Sequence, residues 1–110
     1  MGELDDRARL YETRFAHDEE MRFKAEARGC RKIGMWAASE IGLEGEAATL
    51  YAKEVIASNI DEPGLDDVKR KIMADFEKQG LEVEERIIDK QIETCMKQAK
   101  LELLEEIENS

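Results

Sequence analysis

Apolar residues recur at helical spacing along nearly the whole chain. Leu4, Ala8, Tyr11 and Phe15 follow one another at intervals of four, three and four, which places them on one helical face. Continued in the same phase, that stripe meets Asp18, Glu19 and Arg22, so the apolar face stops there. A second stripe starts in a shifted phase with Phe23, Ala27, Cys30, Ala37 and Ile41, and Ile33 and Trp36 lie beside it. The helix runs through Gly29 or kinks near it, since glycine costs a helix interior only about 1 kcal/mol. Gly42 stands where a left-handed closing residue belongs, and Leu43 supplies the apolar contact that accompanies such a stop.

A third helix opens in the acidic Glu44-Gly45-Glu46 and buries Ala48, Tyr51, Ala52, Val55 and Ile56. The single proline sits in Asp61-Glu62-Pro63-Gly64, a turn signal. A fourth helix carries Leu65, Val68, Ile72 and Phe76, with Asp66 and Asp67 in its first turn and Gly80 beyond its end. The last helix runs from about Val83 to Glu106 with Ile88, Ile92, Cys95, Ala99, Leu103 and Ile107, flanked by Met96 and Leu104. Short turns join these helices, so an all-α, antiparallel four-helix bundle over residues 21–110 is the expected solution. Its core is expected to hold Phe23, Trp36, Tyr51, Val55, Ile72, Phe76, Ile88 and Ile92, with Met21, Met35, Met73 and Met96 filling gaps. Residues 1–20 stand apart, because one continuous bundle helix should keep one buried face. The acidic run Glu102, Glu105, Glu106 and Glu108 reads as a solvated face that opposes the helix dipole, so fraying is expected there.

Composition narrows the function. Seventeen basic residues against 27 acidic ones give a net charge of −10. No surplus of Lys and Arg exists to displace counterions from a nucleic acid or to adsorb to an anionic bilayer. No stretch approaches the roughly 20 apolar residues of a membrane helix, and the acidic beginning is unlike a signal peptide. Cys30 and Cys95 form no Cys-x-x-Cys and read as reduced, buried thiols, so a soluble cytoplasmic protein is expected.

Chemistry is sparse. In His17-Asp18-Glu19-Glu20 the residue four beyond His17 is Met21, and the residue three before it is Arg14. That spacing gives neither a helical zinc pair nor a di-metal bundle site, so no metal is expected. As the only histidine, His17 remains a candidate pH-sensitive group. No nucleophile with a base, calcium loop or phosphate-cradling glycine loop is present, so the chain is expected to be neither an enzyme nor a cofactor carrier. The amphipathic first segment is the remaining candidate: it is either a first helix packed on its own bundle or a helix-in-groove anchor with Leu4, Tyr11 and Phe15 as knobs, and the phase break from Asp18 to Arg22 favours the second. Burying those three contributes about 1.5–3 kcal/mol each, less than the roughly 1–2 kcal/mol per residue of backbone ordering over such a segment. Binding is therefore conditional on a groove that adds hydrogen bonds and charge contacts.

Several stretches resemble one family: Asp5-Asp6-Arg7, Phe15-Ala16-His17-Asp18-Glu19-Glu20, Phe23-Lys24-Ala25-Glu26-Ala27-Arg28, Gly34-Met35-Trp36-Ala37-Ala38, Tyr51-Ala52-Lys53-Glu54-Val55, and Asp61-Glu62-Pro63-Gly64 with Asp67-Val68. They resemble the zeta-subunit family of alphaproteobacterial F-type ATP synthases, inhibitors of ATP hydrolysis by the catalytic head. The resemblance implies a four-helix bundle preceded by an N-terminal inhibitory segment, mobile when free. That segment would enter between a catalytic alpha/beta pair and the central gamma rotor. It also implies Leu4, Asp5, Asp6, Arg7, Tyr11, Arg14 and Phe15 as partner-binding residues, and a location on the inner face of the membrane through the synthase. The chain departs from the family pattern at Gly29-Cys30, where a basic and polar pair is usual, in Leu4 where an aromatic is common, and in a long last helix. The other readings are a non-inhibitory helical adaptor and a small-ligand-binding bundle with its ligand near Trp36.

Overall fold

The computed structural model describes residues 2–59 and 64–110. The described residues form five α-helices and no strand: α1 (Glu3–Arg14), α2 (Glu19–Ile41), α3 (Gly45–Ser58), α4 (Asp66–Lys78) and α5 (Glu85–Glu108). The Asp61-Glu62-Pro63 part of the expected turn lies outside the described residues.

Local chemistry sets the helix ends. Asp18 caps α2, its Oδ1 accepting the Met21 N–H at 3.1 Å. Gly42 closes α2 with φ 96°, its N–H and that of Leu43 both reaching the Ala38 carbonyl, at 3.0 and 2.8 Å. Gly80 ends the next-to-last helix in the same manner, with Leu81 N–H on the Phe76 carbonyl at 2.9 Å. Through Gly29 the α2 helix continues unbroken.

α2 is the central element, packed against α3 on one side and α5 on another, while α4 covers α3 and α5 and α1 lies on α5. Two glycines permit this. A Cβ at Gly34 would stand 2.7 Å from the Ala52 Cα and 3.1 Å from its Cβ, so the α2 and α3 backbones meet there without side chains between them. A Cβ at Gly29 would stand only 2.4 Å from the Sδ of Met96, which fills the space that glycine leaves on the α5 side. The main core joins Cys30, Ile33 and Ala37 of α2 to Tyr51 and Val55 of α3, Val68, Ile72 and Phe76 of α4, and Ile88, Ile92 and Met96 of α5. A separate, smaller cluster joins Tyr11, Ala25, Leu103 and Leu104, with Phe15 and Met21 against it.

Most expected core residues are buried, and Trp36 is half-buried, edge-on to Phe76 at 5.7 Å. Phe23 is a correction, because it is 62% exposed. The Asn59 side chain reaches Glu26 at 3.4 Å, so α3 ends level with that residue, and Phe23, a turn earlier, has no α3 side chain to pack on. Met35 and Met73 are also exposed, whereas Met96 is buried and Met21 half-buried. The expected fraying of the last turns is corrected too. α5 continues to Glu108, and Glu102, Glu106 and Glu108 are paired with Arg28, Lys32 and Arg7. Cys30 and Cys95 are free and buried; burial, with Glu26 nearby, pushes the Cys30 thiol up to about 12.

One polar clasp ties α3 to α4. The Tyr51 hydroxyl donates to Asp75 Oδ2 at 2.7 Å, and Lys71 Nζ approaches the same oxygen at 3.0 Å. Burial pushes the Asp75 carboxyl up, but the hydrogen bonds from Tyr51 and Lys71 and the Lys71 charge outweigh it and hold it below its ordinary value.

Gly34→Ala forces a methyl onto the Ala52 backbone and is expected to destabilise the chain by about 1–3 kcal/mol. In Gly29→Ala the flexible Met96 tail moves instead, and with the helix-propensity gain the change stays within about 1 kcal/mol of neutral. Urea denaturation of both variants checks the contrast. Because Asp75 is depressed in the folded state, its contribution is complete above its unfolded value and disappears as pH falls through its folded one. Asp75→Asn should therefore cost roughly 1–2 kcal/mol at pH 7, and that cost should shrink steadily once the pH drops below about 4.

Candidate partner-binding segment

α1 begins at Glu3 with Asp5 and Asp6 in its first turn, where negative charge suits a helix N-terminus, and ends with Arg14 in its last. Its apolar stripe divides. Ala8 and Tyr11 are buried, Tyr11 to 2% exposure, and Phe15 is half-buried, whereas Leu4 and Leu10 remain exposed at 36% and 50%. Tyr11 rests among Ala25, Leu103 and Leu104, its hydroxyl donates to the Met21 carbonyl at 2.7 Å, and its ring lies 4.8 Å from that of Phe15. Burial, reinforced by the Asp18 charge, raises the Tyr11 phenol above its ordinary value despite Arg28 nearby.

Charge pairs fix α1 to α5 on either side of this contact. Asp5 pairs with Lys97, Arg7 with Glu108 and Glu12 with Lys100. The Lys97 hydrogen bond and charge hold the Asp5 carboxyl below its ordinary range, and the hydrogen bonds of Asp5 and Glu93 raise the Lys97 ammonium. On the α2 side Arg28 pairs with Glu102 and Glu106, and its hydrogen bond lowers the Glu106 carboxyl. Such exposed pairs are individually weak and screened by salt. They nevertheless favour one placement of α1, since Asp5, Arg7 and Glu12 each meet an opposite charge on α5.

The residues singled out from sequence are thus distributed over one helix with two surfaces. Asp5, Arg7, Tyr11 and Phe15 face α5 or its charges, while Asp6 and Arg14 are exposed, Arg14 stacking over the Phe15 ring at 5.2 Å. Leu4 lies at the exposed end of the stripe. His17 is exposed in the turn between α1 and α2, and no hydrogen bond or ion pair involves it among the described residues. Sequence reasoning missed Lys97, Lys100 and Glu108, the α5 residues that receive α1. Their only local signal is a polar position beside the buried stripe of Met96, Ala99, Leu103 and Leu104, which does not say what they meet.

A cavity of about 480 Å³ opens where α1, α2 and α5 meet, lined by Tyr11, Phe15, Ala25, Ile92 and Met96. Its polar rim holds Arg22, Lys97 and Lys100 against Glu12, Glu26 and Glu93, a balance that selects neither anion nor cation. Trp36 borders a separate groove with Arg28, Arg31 and Gln91. Among the described residues, no group of three His, Cys, Asp or Glu side chains is placed to hold a metal ion, and no helix is long and apolar enough to cross a membrane.

None of the curated proteins compared with the chain matches it. A family model described as ATPase inhibitor subunit zeta matches residues 1–102. That span runs from the N-terminus through α1 to the part of α5 that carries Lys97 and Lys100, and with it the chain belongs to the ATPase inhibitor subunit zeta family.

Proposed function

We propose that this chain binds the catalytic head of an F-type ATP synthase and inhibits ATP hydrolysis with its N-terminal segment, residues 1–20. Residues 21–110 act as a four-helix body that docks and holds the segment. The observation that carries this reading is the separation of the two apolar clusters: Tyr11 belongs to the small one, and the main core contains no α1 residue. Membership of an inhibitor family supports a regulator rather than a catalyst. The segment can leave α5 without opening the contacts among Cys30, Val55, Ile72 and Ile88.

On the head, Leu4, Tyr11 and Phe15 serve as apolar anchors in a groove between alpha and beta subunits against the gamma rotor, blocking rotation in the hydrolytic direction. Asp5, Asp6, Arg7 and Arg14 supply the flanking charge contacts. The partner would place the chain at the inner face of the membrane without its own insertion.

An ATP hydrolysis assay on a cognate head tests the division of labour. Deleting residues 1–18 should abolish inhibition and leave the main core folded, with faster amide exchange confined to residues 97–108 and the first turns of α2, which lose the cover of Tyr11 and the Asp18 cap. Replacing Tyr11 and Phe15 together by Ala should raise the half-inhibitory concentration by about thirtyfold or more, as expected for paired aromatic anchors of 2 kcal/mol or above. A truncated chain that still inhibits would overturn the reading. Binding to the head without any slowing of hydrolysis would make the chain an adaptor.

A further inference from the structure

The face of α1 that the proposed function gives to the partner is occupied within the chain. Tyr11 is buried on Leu103, Leu104 and Ala25, and Ala8 is buried on the same side. Asp5, Arg7 and Glu12 are paired with Lys97, Glu108 and Lys100. A second hold comes from α2: the Met21 N–H is bonded to Asp18 and its carbonyl to the Tyr11 hydroxyl, which ties the turn between the helices to the docked position of α1. Tyr11 cannot lie on Leu104 and in a partner groove at once.

We propose that the C-terminal half of α5 is an internal competitor for the inhibitory segment, so that the strength of the α1–α5 contact sets the potency of inhibition. This inference rests on the function proposed above. The apparent affinity of a segment that is only fractionally free is lowered by that fraction. Every interaction that strengthens docking on α5 therefore weakens inhibition by the same factor. The exposed residues of α1, Leu10, Asp6 and Arg14 among them, remain available for a first encounter while Tyr11 is still seated. Displacement then exchanges one set of contacts for another, and the helix does not need to form from coil.

The contact can be altered from the α5 side without changing the segment itself. Lys97→Glu with Lys100→Glu reverses two of the three cross-helix pairs at half-exposed positions outside both apolar clusters. In this variant amide exchange over residues 3–14 should accelerate about tenfold, and the half-inhibitory concentration should fall by a similar factor, as a population shift requires. The converse experiment uses Glu12→Cys with Lys100→Cys, joined by a short cleavable thiol cross-linker; the native Cys30 and Cys95 are buried. The joined chain should lose inhibition and regain it when the linker is cut. Inhibition that is equally strong with the linker intact overturns the competition, as does faster exchange in the charge-reversed variant with no change in potency. The deletion of residues 1–18 separates the two failures. If the deleted chain still inhibits, the assignment of activity to the segment is wrong. If it does not inhibit while the cross-linked chain does, only the competition is wrong.

Discussion

The close approach of α2 to α3 at Gly34 and Ala52 is the contact on which the rest of the architecture depends. It brings two helix backbones together with a methyl group or less between them, and so places Val55 against α2 and Tyr51 within reach of α4. With α3 held on that side, α2 presents Ala25 and Gly29 toward α5, and Met96 fills the space beside Gly29. Because α3 ends level with Glu26, the N-terminal part of α2 and the C-terminal part of α5 extend past the main core as a pair. Leu103, Leu104 and Ala25 need a third surface there, and α1 provides it. The seat for the N-terminal helix is thus a by-product of unequal helix lengths.

Charge plays a different role from the one its total suggests. A net charge of −10 reads as a repulsive, solvated exterior, yet the most acidic stretch is where cross-helix pairs concentrate. Glu102, Glu106 and Glu108 draw in Lys32, Arg28 and Arg7 from two other helices. A helix C-terminus made of acids is unfavourable by itself. Here the unfavourable end is compensated by basic side chains from elsewhere, which makes the last turns of α5 depend on tertiary contacts.

Much of the fold was legible in the sequence, for physical reasons that also mark where reading failed. The stops at Gly42 and Gly80 were readable because a left-handed closing residue is a local requirement. The buried faces of α3, α4 and α5 were readable because Tyr51, Val55, Val68, Ile72, Ile88 and Ile92 repeat at helical spacing. Phe23 was misread because periodicity gives a face but not the length of the neighbour covering it. Neither Gly29 nor Gly34 was legible as a packing residue, since small residues give no hydrophobic signal even where they permit the closest contacts. For the candidate site, the sequence marked the helix and its apolar stripe. Packing of that helix on its own bundle was the less favoured reading, and where Tyr11 would sit was not legible, because Lys97, Lys100 and Leu104 lie some ninety positions away and carry no local mark of that pairing.

The single tryptophan has an optical consequence. Trp36, half-buried, lies edge-on to Phe76 and packs against the main core, not the Tyr11 cluster. Its emission reports whether that core is intact and is blind to where α1 lies. Tyr11, hydrogen-bonded and buried at the other cluster, carries the complementary signal in the absorbance and emission of its phenol. The other tyrosine, Tyr51, lies in the main core and changes together with Trp36, so movement of α1 alone shows as a change in phenol signal with the indole emission unaltered, with no label attached.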